Sequence, residues 1–263
     1  RDSSTSRGLG DVYKRQIKHI DIKSYDSTQL IDAMRDMSFT SRDTARAADI
    51  LMKMVKEKEC TNILTIAGST SAAGCMQVYV DMVRNKMIDV VVATGASIID
   101  MDLFEALGFK HYKGHQDVPD MQLRDLYIDR IYDTFIDEEE LQVCDHTTYE
   151  IANNLEPRPY SSREFIWEIG KWLTKHSKKK DSLIQTCYEC GVPIFCPAFS
   201  DCSAGFGIGK HQWEHPDKHL SIDSVKDFIE LTMIKMNAPT TGLFMIGGGT
   251  PKNFAQDTVV CCL

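Results

Sequence analysis

Leu243-Phe-Met-Ile-Gly247-Gly248-Gly249-Thr250-Pro251-Lys252-Asn253 is an apolar run that ends in three glycines and passes through a proline into polar residues. It reads as a buried strand whose C-terminal end feeds a tight turn and then a helix. Glycines there let the backbone approach a bound group closely, and the free N–H groups of the following helix point at that group. Pro251 suits the first turn of such a helix. In an open α/β sheet this is the edge where ligands bind. The three glycines match no strict dinucleotide fingerprint, so a turn that needs glycine for its dihedrals alone fits the segment as well.

The same form recurs upstream. Residues 62–67 are a short β-branched run, and Gly68-Ser69-Thr70-Ser71-Ala72-Ala73-Gly74 opens a helix that carries Val78, Val80, Met82 and Val83. Residues 89–93 run into Thr94-Gly95-Ala96-Ser97, then Asp100, Asp102 and a helix towards Leu107. Residues 191–200 are strand-like, and Asp201-Cys-Ser-Ala-Gly205 turns out of them. Helical spacing over 223–236 leads back to the quoted strand, and two helices, 27–37 and 41–58, precede the first one, with Ser41 or Asp43 as cap of the second. Strands alternating with helices imply parallel pairing and right-handed crossovers. The fold class expected is α/β: a doubly wound, mostly parallel sheet with helices on both faces. Residues 113–182 are more polar and read as a helical insertion, with helical spacing over 126–132 and solvated helix ends at the acidic run 137–140 and the basic run 178–180.

With 263 residues and 43% hydrophobic content the chain can bury a sizeable core. A net charge of −8 argues against a general nucleic-acid binder and suits cationic partners. No apolar run is long enough to span a bilayer, and nine scattered cysteines fit reduced thiols, so the cytoplasm is the expected compartment. Residues 1–16 read as an adapter-derived or disordered tail, and 17–263 as a single domain whose last helix, begun at Phe254, is cut at the C-terminus.

Four turns with small or acidic residues at parallel strand ends gather into one crevice, which makes a nucleotide-type site. Two metal readings are set aside. Cys187-x-x-Cys190 with Cys196 and Cys202 lacks a second tight pair, and Pro216 interrupts the helix that would align His211, His215 and His219. No cysteine stands at a nucleophile turn with a base. No metal is expected.

The blocks Ala67-Gly-Ser-Thr-Ser-Ala-Ala-Gly74, Val92-Ala-Thr-Gly95, Pro197-Ala-Phe-Ser-Asp201-Cys-Ser and Ile246-Gly-Gly-Gly-Thr-Pro-Lys252, in this order, resemble deoxyhypusine synthase, particularly its bacterial deoxyhypusine-synthase-like branch. The resemblance implies a cytoplasmic homotetramer with a Rossmann-like domain that binds NAD and uses it without net consumption. It implies that an aminobutyl group leaves spermidine or a related polyamine, rests on an enzyme lysine, and passes to an amine acceptor. That acceptor is a lysine of the hypusine-carrying translation factor, or putrescine, giving homospermidine.

The implied cofactor residues are Gly68, Ser69, Thr70, Ser71, Ala72, Ala93, Thr94, Gly95, Asp100 and Asp201, and the implied substrate positions are Asp100, Phe206, Gly248 and Asn253. Two positions depart from the family. Phe206 stands where deoxyhypusine synthases have a second aspartate, and Asn253, which does not titrate, stands where they have a histidine. The nucleophilic lysine is expected beyond Leu263, and Lys252 is not its equivalent. Putrescine is therefore the expected acceptor. The alternatives are a true deoxyhypusine synthase and a non-catalytic NAD-binding paralogue that regulates a partner subunit.

Overall fold

The computed structural model of the protein describes residues 15–262. Two helices, α1 (Thr28–Arg35) and α2 (Phe39–Lys56), lead into strand β1 (Cys60–Ile66) and helix α3 (Met76–Arg84). Strand β2 (Val90–Ala93) runs into a helical stretch, Ala96–Leu103, that ends in α4 (Phe104–Ala106). Next come β3 (Tyr112–Lys113), α5 (Asp120–Asp125), β4 (Ile128–Ile131), β5 (Thr134–Asp137) and α6 (Glu138–Asn153). The chain continues through β6 (Pro159–Tyr160), α7 (Ser162–His176), α8 (Leu183–Cys190), β7 (Ile194–Phe195), α9 (Ser203–Glu214) and β8 (Ser221–Ile222). It finishes with α10 (Ser224–Asn237), β9 (Thr240–Ile246) and α11 (Thr250–Cys261).

The main sheet has the order β7-β2-β1-β9, and all its neighbours are parallel. The chain winds from β1 outwards through β2 to β7, then returns to the other side of β1 as β9, the doubly wound pattern expected from the alternation. Side chains of β1 and β2 alternate between two cores. Leu64, Ile66, Val91 and Ala93 meet α3, α7 and α8 through residues such as Val80, Phe165 and Ile184. Ile63, Val90 and Val92 join Phe195 against Leu231 of α10 and Ala255 of α11. Both faces are thus covered, which is why β2 is apolar throughout and six of the seven residues of β1 are buried.

The insertion is not wholly helical. Residues 128–131 form a strand paired antiparallel with β5, and β5 also pairs with β3. A seven-residue run carries too few turns for helical spacing to exclude alternation. Here Ile128 packs with Leu123 and Phe135 in a small core, while Tyr127 and Tyr132, at φ 57° and 54°, turn the chain at each end of the strand.

Three other expectations need correction. Helix α2 begins at Phe39, so Ser41 and Asp43 lie within it and Ser38 holds the cap position. Lys179 in the basic run is not merely solvated, because it pairs with Glu105. Helix α11 starts at Thr250, four residues before Phe254, with Pro251 in its first turn. Of the tail expected over 1–16, residues 1–14 lie outside the described residues, as does Leu263; Gln16 bridges to Tyr112. The acidic run does begin a helix, with Asp137 accepting from Glu140 N at 3.0 Å. Among the described residues no helix is long and apolar enough to cross a membrane.

Two buried aspartates fix helices onto this frame. Asp102, fully buried, accepts from Ser182 Oγ at 2.8 Å and from Leu183 N and Ile184 N at 2.9 Å, so it closes the N-terminus of α8. Asp227 accepts from Ser162 N and Oγ at 3.0 Å and from Arg163 N at 3.3 Å, and Ser162 Oγ in turn accepts from Cys196 N at 2.8 Å. Orphan N–H groups at a helix start favour a carboxylate, which offsets its burial. Asp102→Ala leaves those donors unmet, so it should destabilise the protein by about 3 kcal/mol. A lower urea midpoint at unchanged slope is the expected result; Asp43→Ala, on the exposed face of α2, should leave the midpoint in place, and equal midpoints for both would exclude this role for Asp102.

Candidate functional site

All four loops singled out in the sequence leave the C-terminal ends of the main sheet. The strand order reverses at β1, so the crevice lies between the loop after β1 and the loop after β9. These loops touch through their backbones. Ala67 N bonds to Ile246 O at 2.9 Å, and a Cβ at Gly247, where φ is 75°, would meet Ala67 O at 2.9 Å. Glycine is required there for close approach as well as for its dihedral.

The loop after β2 is tied in from the other side. Thr94 N bonds to Ile66 O at 3.1 Å, Ser97 Oγ donates to Gly68 O at 2.8 Å, and the Thr94 and Ser97 hydroxyls lie 2.9 Å apart. Gly95 is buried because a Cβ there would fall 2.3 Å from Cys202 Sγ. The chain after β1 and β2 winds loosely, as π-type turns over Ser71–Cys75 and Ala96–Leu103. Such turns are frequent at functional sites. Thr70 Oγ1 meets Tyr79 OH at 2.7 Å, whereas Ser71 Oγ is buried with no partner among the described residues.

Asp100 accepts from Ser203 N at 2.9 Å, which joins the β2 loop to the start of α9. Burial pushes its carboxyl up to about 6 against the Ser203 hydrogen bonds, and the Asp145 and Asp201 charges push in the same direction. Burial also raises the Asp145 carboxyl. Asp145 comes from α6 and was not singled out in the sequence. Only the packing of α6 on α9 places it here, so no motif announces it. Ser203 ends one of the quoted blocks and Ser97 ends the turn after residues 89–93, but only the fold shows what they bind.

The positions expected to meet substrate are spread out. Gly248 and Asn253 follow β9, while Phe206, with the expected cofactor residue Asp201, follows β7, the outer strand at the opposite edge. Three strand spacings of the sheet amount to roughly 14 Å. Asp201, Gly248 and Asn253 are exposed, and Phe206 is 66% exposed. The strand ends form an open shelf, and clefts lined by Ile151 and Trp172, or by Trp167 and Met233, belong to other elements. Ala198, at φ 57°, holds the turn before Asp201.

Of the sulfur and imidazole groups weighed in the sequence, Cys187, Cys196, Cys202 and His211 are buried in packing, whereas Cys190 and His215 are exposed. Cys187 and Cys196 are buried thiols held well above their usual range by burial, and the Cys202 thiol is pushed up to about 12. His211 accepts from Leu220 N at 3.1 Å through Nε2, so its Nδ1 donates to Asn153 Oδ1 at 2.6 Å.

A family described as deoxyhypusine synthase matches residues 29–262. A deoxyhypusine synthase-like protein of Coxiella burnetii is 64% identical over 251 residues, 95% of this chain and 71% of that protein. One from Caulobacter vibrioides is 66% identical over 255 residues, 95% of this chain and 70% of that protein. The solved structure of a "putative deoxyhypusine synthase" from Entamoeba histolytica superposes with a TM-score of 0.65 at 20% identity, covering 89% of this chain and 79% of that one. With a family model matched over residues 29–262 and relatives about two-thirds identical over nearly the whole chain, the chain belongs to the deoxyhypusine synthase family.

Proposed function

We propose that this shelf serves NAD-dependent transfer of an aminobutyl group from spermidine, or a related polyamine, to putrescine, giving homospermidine. The observation that carries this reading is the crevice between β1 and β9 where the strand order reverses, lined by glycine loops. The residues fit the cofactor. A Cβ at Gly68 or Gly248 would meet nothing within 4 Å, so backbone is open to a ligand there. Ser71 Oγ is a buried hydroxyl with hydrogen-bonding capacity to spare. Residues 68–72 and 93–95, with Asp201, hold NAD in this reading.

When bound, NAD supplies reversible hydride chemistry, which removes a hydride from a secondary amine and returns it to an imine. The protein's part is to orient the amine and hold its charge. Ionised Asp100, with Asp145 and Asp201 nearby, receives an ammonium, and Gly248 leaves room along the far side of the crevice. Phe206 and Asn253 offer neither charge nor a titrating base, which favours a small diamine acceptor. The lysine that carries the aminobutyl group is placed beyond residue 263, and assembly is as a cytoplasmic homotetramer. Exposed Phe206 and Trp213, both on α9, support burial of that face by another copy.

The gene product read to its stop codon, incubated with NAD, spermidine and putrescine, should yield homospermidine by mass spectrometry. Modification of the translation factor's lysine instead would overturn the acceptor assignment, and NAD binding without either product would favour the non-catalytic reading.

A pH dependence follows from Asp100. Its folded value of about 6 lies above the ordinary 3.8, so the folded state keeps a proton that the unfolded chain releases between those values. Asp100 therefore lowers stability as pH rises through that window. Ammonium binding needs the ionised form, so spermidine affinity should fall about fivefold between pH 6 and 5. Asp100→Asn should weaken binding at pH 7 and abolish that slope in calorimetric titrations; a retained slope would assign it to another group.

A further inference from the structure

Away from the shelf, a dense group of titratable side chains surrounds Glu105 in α4. Its Oε1 accepts from His111 Nδ1 at 2.9 Å, and its Oε2 accepts from His19 Nε2 at 2.7 Å and from Lys179 Nζ. Burial alone would raise this carboxyl, but the two histidine hydrogen bonds and the Lys179 charge hold it far below the usual range. An ionised carboxylate only accepts, so both imidazoles donate to it. These partners come from three separate parts of the chain, and one of them, His19, lies in the segment that precedes α1.

That segment is laid as a strap across the first glycine loop. Ile17 N bonds to His111 O at 2.9 Å, and Ile20 N bonds to Gly74 O at 2.9 Å. Between them, Lys18 O would lie 2.9 Å from a Cβ at Gly74, whose φ is 102°, so the strap rests directly on this glycine. The residues on either side of Gly74 reach back to the loop's centre, Ala73 N to Ser69 O and Cys75 N to Thr70 O, both at 3.1 Å. A pull on Gly74 is therefore carried by two hydrogen bonds into Ser69 and Thr70.

Besides these backbone bonds and that of Lys113 N to Arg15 O at 2.7 Å, the strap has side-chain anchors of unequal worth. Lys23 Nζ meets Asp81 Oδ1 at 2.7 Å, but the lysine side chain is 57% exposed. Asp81 is only 6% exposed, so this pair is half-buried and is screened from the lysine side alone. His19 and Glu105 are 15% and 11% exposed, so their bond works in a largely dry setting where a lost donor is costly.

We infer that His19 is a positioning residue for the cofactor loop: its hydrogen bond to Glu105 holds the strap on Gly74, and the strap sets the conformation of residues 68–74. This rests on the reading of that loop as an NAD site. It predicts that the loop is preformed in the cofactor-free protein and that its order depends on a residue that touches no ligand.

The test compares His19→Ala with His19→Gln in the full-length protein, because a glutamine amide donates from nearly the same place as imidazole Nε2. Hydrogen exchange is measured without NAD on peptides covering 68–76, 224–237 and 240–246, and NAD affinity by calorimetry. His19→Ala should speed exchange over 68–76 about tenfold, leave the other peptides unchanged and weaken NAD binding about tenfold, as loss of one buried hydrogen bond implies. His19→Gln should restore most of both. Wild-type exchange in His19→Ala, equally faster exchange in all three peptides, or no rescue by glutamine would each overturn the inference. If the wild-type protein does not bind NAD, the cofactor reading fails, while the exchange result still decides whether His19 holds the loop.

Discussion

The pairing of β1 with β2 on one side and β9 on the other is the constraint on which the rest depends. From Cys60 opposite Thr240 to Ile66 opposite Ile246, β1 is matched residue by residue with a strand that arrives some 180 positions later. A slip of one residue would move Leu64 and Ile66 from the core of α3, α7 and α8 to that of α10 and α11. Register therefore fixes both cores together. It also sets the loops after β1 and β9 level with each other, which is why Gly247 meets Ala67 and no side chain fits between them.

Three aspartates raised by burial show how the same residue type divides between architecture and chemistry. Asp102 and Asp227 each receive donors from the start of another helix, three apiece, so their lone pairs are occupied by backbone and serine groups. Among the described residues Asp100 has Ser203 alone as donor, through its N–H and its hydroxyl, and faces the like charges of Asp145 and Asp201. A carboxylate with acceptor capacity left over and negative neighbours is poised for a cation. Donor supply, not burial, separates the two roles.

The strands and their exit turns were legible because a strand covered on both faces is apolar at every position, and a run such as Val90–Ala93 has few other readings once Thr94-Gly95 ends it. The order of strands was not legible, because nothing in β7 or β9 states which neighbour it takes. The hairpin of β4 and β5 was missed since its core is only Leu123, Ile128 and Phe135, too few residues to impose a period. The wiring of the site was hidden for a different reason. Asp145 and His19 reach it through helix packing and a strap, over separations that no local motif spans.

This wiring also explains how the two halves of the shelf relate. The loops after β1, β2 and β9 form one hydrogen-bonded unit, in which Ala67 N to Ile246 O, Thr94 N to Ile66 O and Ser97 Oγ to Gly68 O join three adjacent strand ends. Phe206 and Asn253 are not joined in this way. Among the described residues the Phe206 N–H bonds to Cys202 O, just before α9, and the Asn253 N–H to Gly249 O, just before α11. Both side chains lie on exposed helix surface at opposite edges of the sheet, and neither braces a neighbouring strand. A change at either position leaves the bonds among the three strand-end loops intact. The two positions at which the sequence reading expects a departure from the family therefore fall where the fold leaves chemistry free to vary.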